Sequence, residues 1–288
     1  MNQLNVSIVG LGLIGGSLGL AIKNKTGCRV VGFDRDKAVV NKALELGAID
    51  HGEALVIACV RDADFVFVAT PISQVIPTLK KIGRFVKKGA IVTDVASVKT
   101  EIVKEAGRLA RKRFDFIGGH PMAGKETSGI AVADQNLFIN RTWALVPSKK
   151  TNPSNLQRLK RLIAVIGGRP VVMKDGEHDE AVSLISHLPF IVSATLFSTA
   201  VNNHKWHLAR KLAAGGFKDT TRLAGGNSLL HKEIVASNRE NIVTGLDGFI
   251  SELGRVRNLI MSGEVETMGK FFEVTKLNRD GWLKEAGL

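Results

Sequence analysis

The chain has no tyrosine, only two cysteines in 288 residues, and no uninterrupted apolar run that reaches the ~18 residues of a membrane span. Cys28 and Cys59 are too few for a disulfide framework or a zinc site, which points to the cytoplasm or another reducing compartment. No metal is expected, and no membrane partner. The first apolar stretch runs into glycines and not into a cleavage site, so no signal peptide is read there. Internal repeats and low-complexity linkers are missing as well. Aromatic rings as such are not avoided, since phenylalanine occurs thirteen times.

Acidic residues are scarce in one half only. Residues 1–174 carry 27 Lys and Arg against 13 Asp and Glu, whereas residues 175–288 carry 13 against 14. A basic half suits anionic ligands. Its clusters, such as Lys80-Lys81, Lys87-Lys88 and Arg111-Lys112-Arg113, fall at expected helix ends and loops without interleaved aromatics. That is the pattern of solvated surface, so nucleic acid is not expected as a partner.

What is present is organised around residues 6–34. A short apolar strand runs into Gly10-Leu11-Gly12-Leu13-Ile14-Gly15, a helical run follows, and a second strand over 29–33 ends on Asp34 and Arg35. Strand, glycine turn, helix, strand and acid, with the acid about 20 residues after the loop, is the order a dinucleotide site needs. The pyrophosphate would face the helix N-terminus, where free N–H groups and the positive end of the helix dipole meet it. An acid at Asp34 can accept the ribose 2′-OH and repels a 2′-phosphate, which favours NAD; Arg35 beside it keeps NADP open.

Further strands are expected over 65–69, 90–94, 114–117, 142–146 and 170–173, with helices over 36–47, 73–86, 98–113 and 154–166. Strands alternating with helices of this length imply an α/β domain with a Rossmann-like, doubly wound, mostly parallel sheet over residues 1–174. Residues 175–288 show no convincing strand and read as an all-helical dimerisation domain. A run over 179–201 is apolar on nearly every face and is expected to be a buried helix, bent where Pro189 frees the carbonyl of Ile185. A second long helix is expected over 240–262. Such a domain needs something to bury against, either a partner in a homodimer or the first domain.

Ligands of open α/β sheets sit beyond the carboxyl ends of the strands. Four such ends carry suggestive residues: the glycine loop, Thr70-Pro71, Ser97 and His120. His120 stands in Gly118-Gly119-His120-Pro121. It can take the proton of an alcohol while hydride leaves the carbon, or simply bond to backbone. Ser97 reads as a helix N-cap that could also orient His120 or touch the cofactor. In the helical part, Ser186 and His187 are polar residues on an apolar helix, either ligand contacts or satisfied core groups. Lys218 and Arg222, four apart, would share one helix face, as a carboxylate grip or a solvated pair.

These blocks, in this order, resemble the prephenate/arogenate dehydrogenases of tyrosine biosynthesis. The likeness rests on GLGLIGGSL, TDVASVK (93–99), GGHPMAGKETSG (118–129), SHLP (186–189) and GGFKDTTR (215–222). It implies a cyclohexadienol substrate with a ring carboxylate, prephenate with arogenate as the alternative, and a nicotinamide hydride acceptor. It implies that His120 is the base, that Ser97 supports it, that Arg222 holds a carboxylate and that Lys218 adds charge. Glu126 and His178 align with polar positions near the site. Many prephenate-using relatives carry a second histidine where this chain has Phe190, which leaves the choice of substrate open. From the residues alone, another small-acid dehydrogenase or a nicotinamide-sensing module also remains open. An enzyme that makes the precursor of tyrosine and contains none can still be translated when tyrosine runs short.

Overall fold

The computed structural model describes residues 4–110, 113–125 and 127–287. By contact density the chain forms two compact units, Met1–Arg239 and Glu240–Leu288.

The first unit is built on an eight-stranded sheet. Its strands are β1 (Asn5–Val9), β2 (Arg29–Phe33), β3 (His51–Gly52), β4 (Phe65–Val68), β5 (Ile91–Asp94), β6 (Asp115–Pro121), β7 (Thr142–Pro147) and β8 (Arg169–Val172), in the order β3-β2-β1-β4-β5-β6-β7-β8. All pairs are parallel except β6 with β7. The sheet is therefore doubly wound and mostly parallel, as expected. The chain runs outward from β1 in both directions, which puts the switch point between β1 and β4. β3 is a two-residue strand that the hydropathy pattern does not reveal. The connecting helices are α1 (Leu13–Lys25), α2 (Lys37–Glu45), α3 (Val56–Val60), α4 (Ile72–Ile82), α5 (Thr100–Ala110) and α6 (Pro153–Val165). Fully buried Val6, Ile8, Phe67, Ile91 and Trp143 fill the space between sheet and helices.

The helical part begins with α7 (Asp175–Val182), continues through one π-turn over Ser183–His187, and goes on as α8 (Leu188–Val201). Helix was expected here with a bend at Pro189. The chain instead widens one turn: the Leu188 amide reaches the Ser183 carbonyl, five residues back. Pro189 has no N–H for the carbonyl of Ile185, so one helical bond is lost in any case, and the wide turn is where the ladder adjusts. The expected burial is not met. Only 17% of the most apolar window of the 26-residue helix Gly176–Val201 is buried, and Ile185 and Leu184 stand out in solvent. By length and composition alone this helix could cross a membrane, a test that core helices of soluble proteins also pass. Short helices α9 (Trp206–Leu212) and α10 (Gly215–Thr220), a 3-10 turn over Arg222–Gly225, and α11 (Ser228–Ser237) follow.

The second compact unit holds most of α12 (Arg239–Met261) and α13 (Val265–Ala286). Its Ile250, Leu253, Phe272 and Trp282 are exposed.

Candidate active site

The carboxyl ends of β1, β4, β5 and β6 open on one cavity of about 1300 Å³. A pocket for one small molecule is usually ~300–1000 Å³; this one has room for a dinucleotide and a second ligand. It is lined by Gly10, Gly12, Asp34, Arg35, Thr70 and Pro71, by Ser97 and His120, and by Arg222 and His231.

The glycine loop has the shape a pyrophosphate needs. Gly10 turns at φ +95, and a β-carbon there would meet the Ala69 carbonyl oxygen at 2.5 Å. Gly12 precedes α1 and lines the cavity, and a β-carbon there would meet nothing within 4 Å. Gly15 lies beneath the loop, pressed on the Gly10 carbonyl. Leu11 is fully buried, and its amide donates to Asp34 Oδ2 at 2.8 Å. Asp34 Oδ1 accepts the Asp36 amide at 3.0 Å. The acid therefore locks the loop to the end of β2, and its oxygens keep lone pairs for a ribose hydroxyl. Thr70 Oγ1 is buried at the cavity wall without a hydrogen-bond partner among the described residues. A buried hydroxyl left unpaired is costly, and a polar ligand there removes the cost. On these grounds the residues fit a nicotinamide dinucleotide.

His120 is held by a chain of polar groups that local patterns did not reveal. Its Nδ1 is 2.9 Å from His178 Nε2, and His178 Nδ1 is 2.7 Å from Asp179 Oδ1. Asp179 also accepts the Lys99 and Thr100 amides at 2.8 and 2.9 Å, so it caps α5. Ser97 does not cap α5: the helix starts three residues later, and Asp179 on another helix takes its first amides. Ser97 is half-buried at the cavity wall instead. Burial pushes the Asp179 carboxyl up, but hydrogen bonds from His178, Thr100 and Lys99 outweigh it and hold the group below the usual carboxylate range. Burial, then repulsion from His178 when it is protonated, from Lys99 and from a protonated His187, holds His120 well below its usual 6.5, against the pull of Asp179. His120 is therefore neutral near neutral pH, the form a base requires. Beneath it, fully buried Lys99 pairs with Asp94, whose carboxylate also takes the Gly119 amide at 3.2 Å.

The other expected site residues are placed less directly. His178 reaches the cavity only through His120. His187 is fully buried on the π-turn, 3.1 Å from Asn238 through its Nδ1, and does not line the cavity. Burial pushes its pKa down to about 4. Ser186 is half-buried outside the cavity lining. Lys218 and Arg222 do not share a helix face, because α10 stops at Thr220 and Arg222 starts a 3-10 turn; Arg222 lines the cavity and Lys218 does not. Glu126 lies outside the described residues. Phe190 is buried, and the cavity-wall residue stacked flat on it at 4.1 Å is His231. Glu233, also unforeseen, receives the Ile72 amide and the Ser73 hydroxyl and so ties α11 to the start of α4. Neither has a sequence signal beyond lying on a short helix.

Two family profiles match the chain: "Prephenate dehydrogenase, nucleotide-binding domain" over residues 18–172 and "Prephenate dehydrogenase, dimerization domain" over residues 174–275. The chain belongs to the prephenate dehydrogenase family. It is 36% identical to the prephenate dehydrogenase of Bacillus subtilis over 286 residues, 98% of this chain and 77% of that one. Among solved structures it resembles prephenate dehydrogenase from A. aeolicus in complex with hydroxyphenyl propionate and NAD+, at 31% identity and a TM-score of 0.90, covering 97% of this chain and 98% of that one. It also resembles the arogenate dehydrogenase of Synechocystis, at 34% identity and a TM-score of 0.87, covering 97% and 100%.

Proposed function

We propose that the chain catalyses the NAD-dependent oxidative decarboxylation of prephenate to 4-hydroxyphenylpyruvate. One observation carries the reading: His120, the glycine loop and Arg222 line the same cavity. His120 Nδ1 is engaged by His178, which leaves Nε2 for the substrate. That nitrogen takes the proton of the ring hydroxyl as the hydrogen on the same carbon departs as hydride. Bound NAD supplies the hydride acceptor. The resulting dienone expels its ring carboxylate as CO2, and the electrons of that C–C bond aromatise the ring. The oxygen becomes a phenolate that recovers the proton from His120. Arg222 holds a substrate carboxylate as a bidentate donor. Ser97 at the end of β5 contacts the cofactor and the substrate hydroxyl. Asp34 receives the ribose 2′-OH, with Thr70 and Pro71 along the cofactor.

We assign residues 1–174 to cofactor binding and 175–288 to substrate binding and dimerisation. The matched family ranges, 18–172 and 174–275, support that division. A homodimer is supported by the description of the second profile and by the exposed Leu184, Ile185, Leu196 and Phe197 on one helix. Both cysteines are free thiols, in keeping with a cytoplasmic enzyme.

The test is a matrix of prephenate and arogenate against NAD and NADP, reading reduced nicotinamide. Prephenate with NAD is expected to give the highest kcat/KM; a preference for arogenate would transfer the activity to that substrate. His120→Asn should remove most turnover with NAD affinity nearly intact. Arg222→Ala should raise KM strongly, and an unchanged KM would reject the carboxylate role.

A further inference from the structure

We propose that Asp179, acting through His178, fixes His120 in the tautomer whose lone pair lies on Nε2, so that both are positioning residues for proton removal. This rests on the reading of His120 as the base.

The argument is one of donors and acceptors. An ionised carboxylate only accepts hydrogen bonds. Asp179 already accepts two backbone amides at 2.8 and 2.9 Å, which hold it in place independently of the histidines. The third donor, at 2.7 Å, is then His178 Nδ1, which must carry a proton. A neutral imidazole protonated on Nδ1 presents a lone pair on Nε2. That lone pair faces His120 Nδ1 at 2.9 Å, so His120 Nδ1 must be the donor. His120 Nε2 is left with the lone pair. The two rings pack edge-on, with centroids 5.1 Å apart, a geometry that accommodates this bond.

The same chain serves the product side of the step. Once Nε2 takes the proton, the positive charge on His120 is coupled through one imidazole to a carboxylate. Other charged or titratable groups lie near the base: Lys99, just before α5 and paired with Asp94 at the end of β5, and His187 from the π-turn. Lys99 opposes protonation of His120, and Asp179 favours it. Lys99 is neutralised by Asp94. Asp179 is therefore the net negative group on the line from His120. A purely structural role is the alternative, because a carboxylate capping α5 would account for a buried Asp179 without reference to His120.

Three variants separate the two roles. His178→Leu removes the acceptor for His120 Nδ1. His178→Gln offers a side-chain oxygen in its place. Asp179→Asn supplies an amide that can donate to His178 and reverse both tautomers. Expected are a kcat loss of about a hundredfold or more in His178→Leu, with KM changed by less than about threefold, and recovery of at least about tenfold of that loss in His178→Gln. Imidazole 15N NMR of the wild-type enzyme near neutral pH should show both His120 and His178 protonated on Nδ1. His120 protonated on Nε2, or a His178→Leu enzyme with unchanged kcat and pH profile, overturns the proposal. If His120→Asn abolishes turnover while His178→Leu does not, the base reading stands and the relay falls. If His120→Asn turns over normally, the base reading falls. The NMR tautomer requires no variant, so it decides the relay even where a substitution prevents folding.

Discussion

Lys99 is the most exacting test of how this site is held. Its ammonium pairs with Asp94 and both side chains are fully buried. Burial depresses the Lys99 pKa and Asp94 resists that, so the pair survives only because each charge compensates the other. Asp94 also accepts the Ala96 amide at 3.0 Å and the Gly119 amide at 3.2 Å. Replacing Lys99 with Met keeps the volume and deletes the cation. Two amides then remain for a buried carboxylate, and an uncompensated buried charge of this kind costs about 3–5 kcal/mol. A domain's total stability is only about 5–15 kcal/mol, so the loss should move the urea midpoint far to the left. Fluorescence of Trp143, which is 1% exposed in the core, reports the transition. Adding Asp94→Asn removes the stranded charge and keeps one acceptor for an amide, so the double variant should regain about 2 kcal/mol. A Lys99→Met loss under about 1 kcal/mol, or a double variant no more stable than the single, would show that the buried ion pair is not what compensates Asp94.

Two further outcomes follow from single groups. Gly12→Ala should weaken NAD binding at least about tenfold with an unchanged melting temperature, because a β-carbon there meets no protein atom within 4 Å and lies where the proposed site would take the pyrophosphate. Isothermal titration checks this, and unaltered affinity would place the cofactor elsewhere. His187 is fully buried and its pKa falls from 6.5 to about 4 on folding. A folded-state pKa below the unfolded one means the unfolded chain binds the extra proton, so this stability is complete above about 6.5 and is lost as pH falls toward about 4. The amount is on the order of 3 kcal/mol, read as a slope in unfolding free energy over that range that flattens in His187→Asn. His120 adds to the slope in the same direction.

The parts of this protein legible in sequence are those whose partners lie a few residues away. The glycine loop, the strand ends and His120-Pro121 each declare themselves locally, and the order of strands follows from alternating patterns. Arg222 was recognised with its block, though its supposed helix partner Lys218 was lost to a helix end one turn earlier. What stayed hidden depends on separation. His178 reaches His120 across 58 residues, and Asp179 caps a helix that starts 79 residues before it. Ser97 looked like that cap because serine before a helix usually is one. No periodicity marks a buried lysine, since Lys is almost never buried without a partner and the partner comes from the fold. Phe190 drew attention at a position where a histidine was expected, yet the imidazole at the cavity is His231, brought there by α11 and stacked on Phe190.

The helix Gly176–Val201 shows why average hydropathy misled. Its buried stripe carries His178, Asp179, Ser183, His187 and Ser193, and its exposed face carries Leu184, Ile185, Leu196 and Phe197. That is the reverse of an ordinary surface helix. Most of these buried polar groups are answered by a specific partner: His120, the α5 amides, the Glu180 carbonyl, Asn238 at His187 Nδ1, and the Ala224 amide at 3.1 Å from Ser193, while His187 Nε2 has none among the described residues. Apolar side chains on the other face gain nothing from water: Leu184 and Ile185 are largely exposed, and Phe197 is only partly covered, by Trp206 and Phe217. A helix inverted in this way is stable only when both faces are occupied, one by the polar machinery at the sheet and the other by a second surface. In the proposed homodimer that surface is a second copy, so the element that carries His178 and Asp179 is also the one that assembly would hold in place. Loss of the partner should then loosen the His178–Asp179 support before it disturbs the glycine loop, which is anchored within its own domain by Asp34.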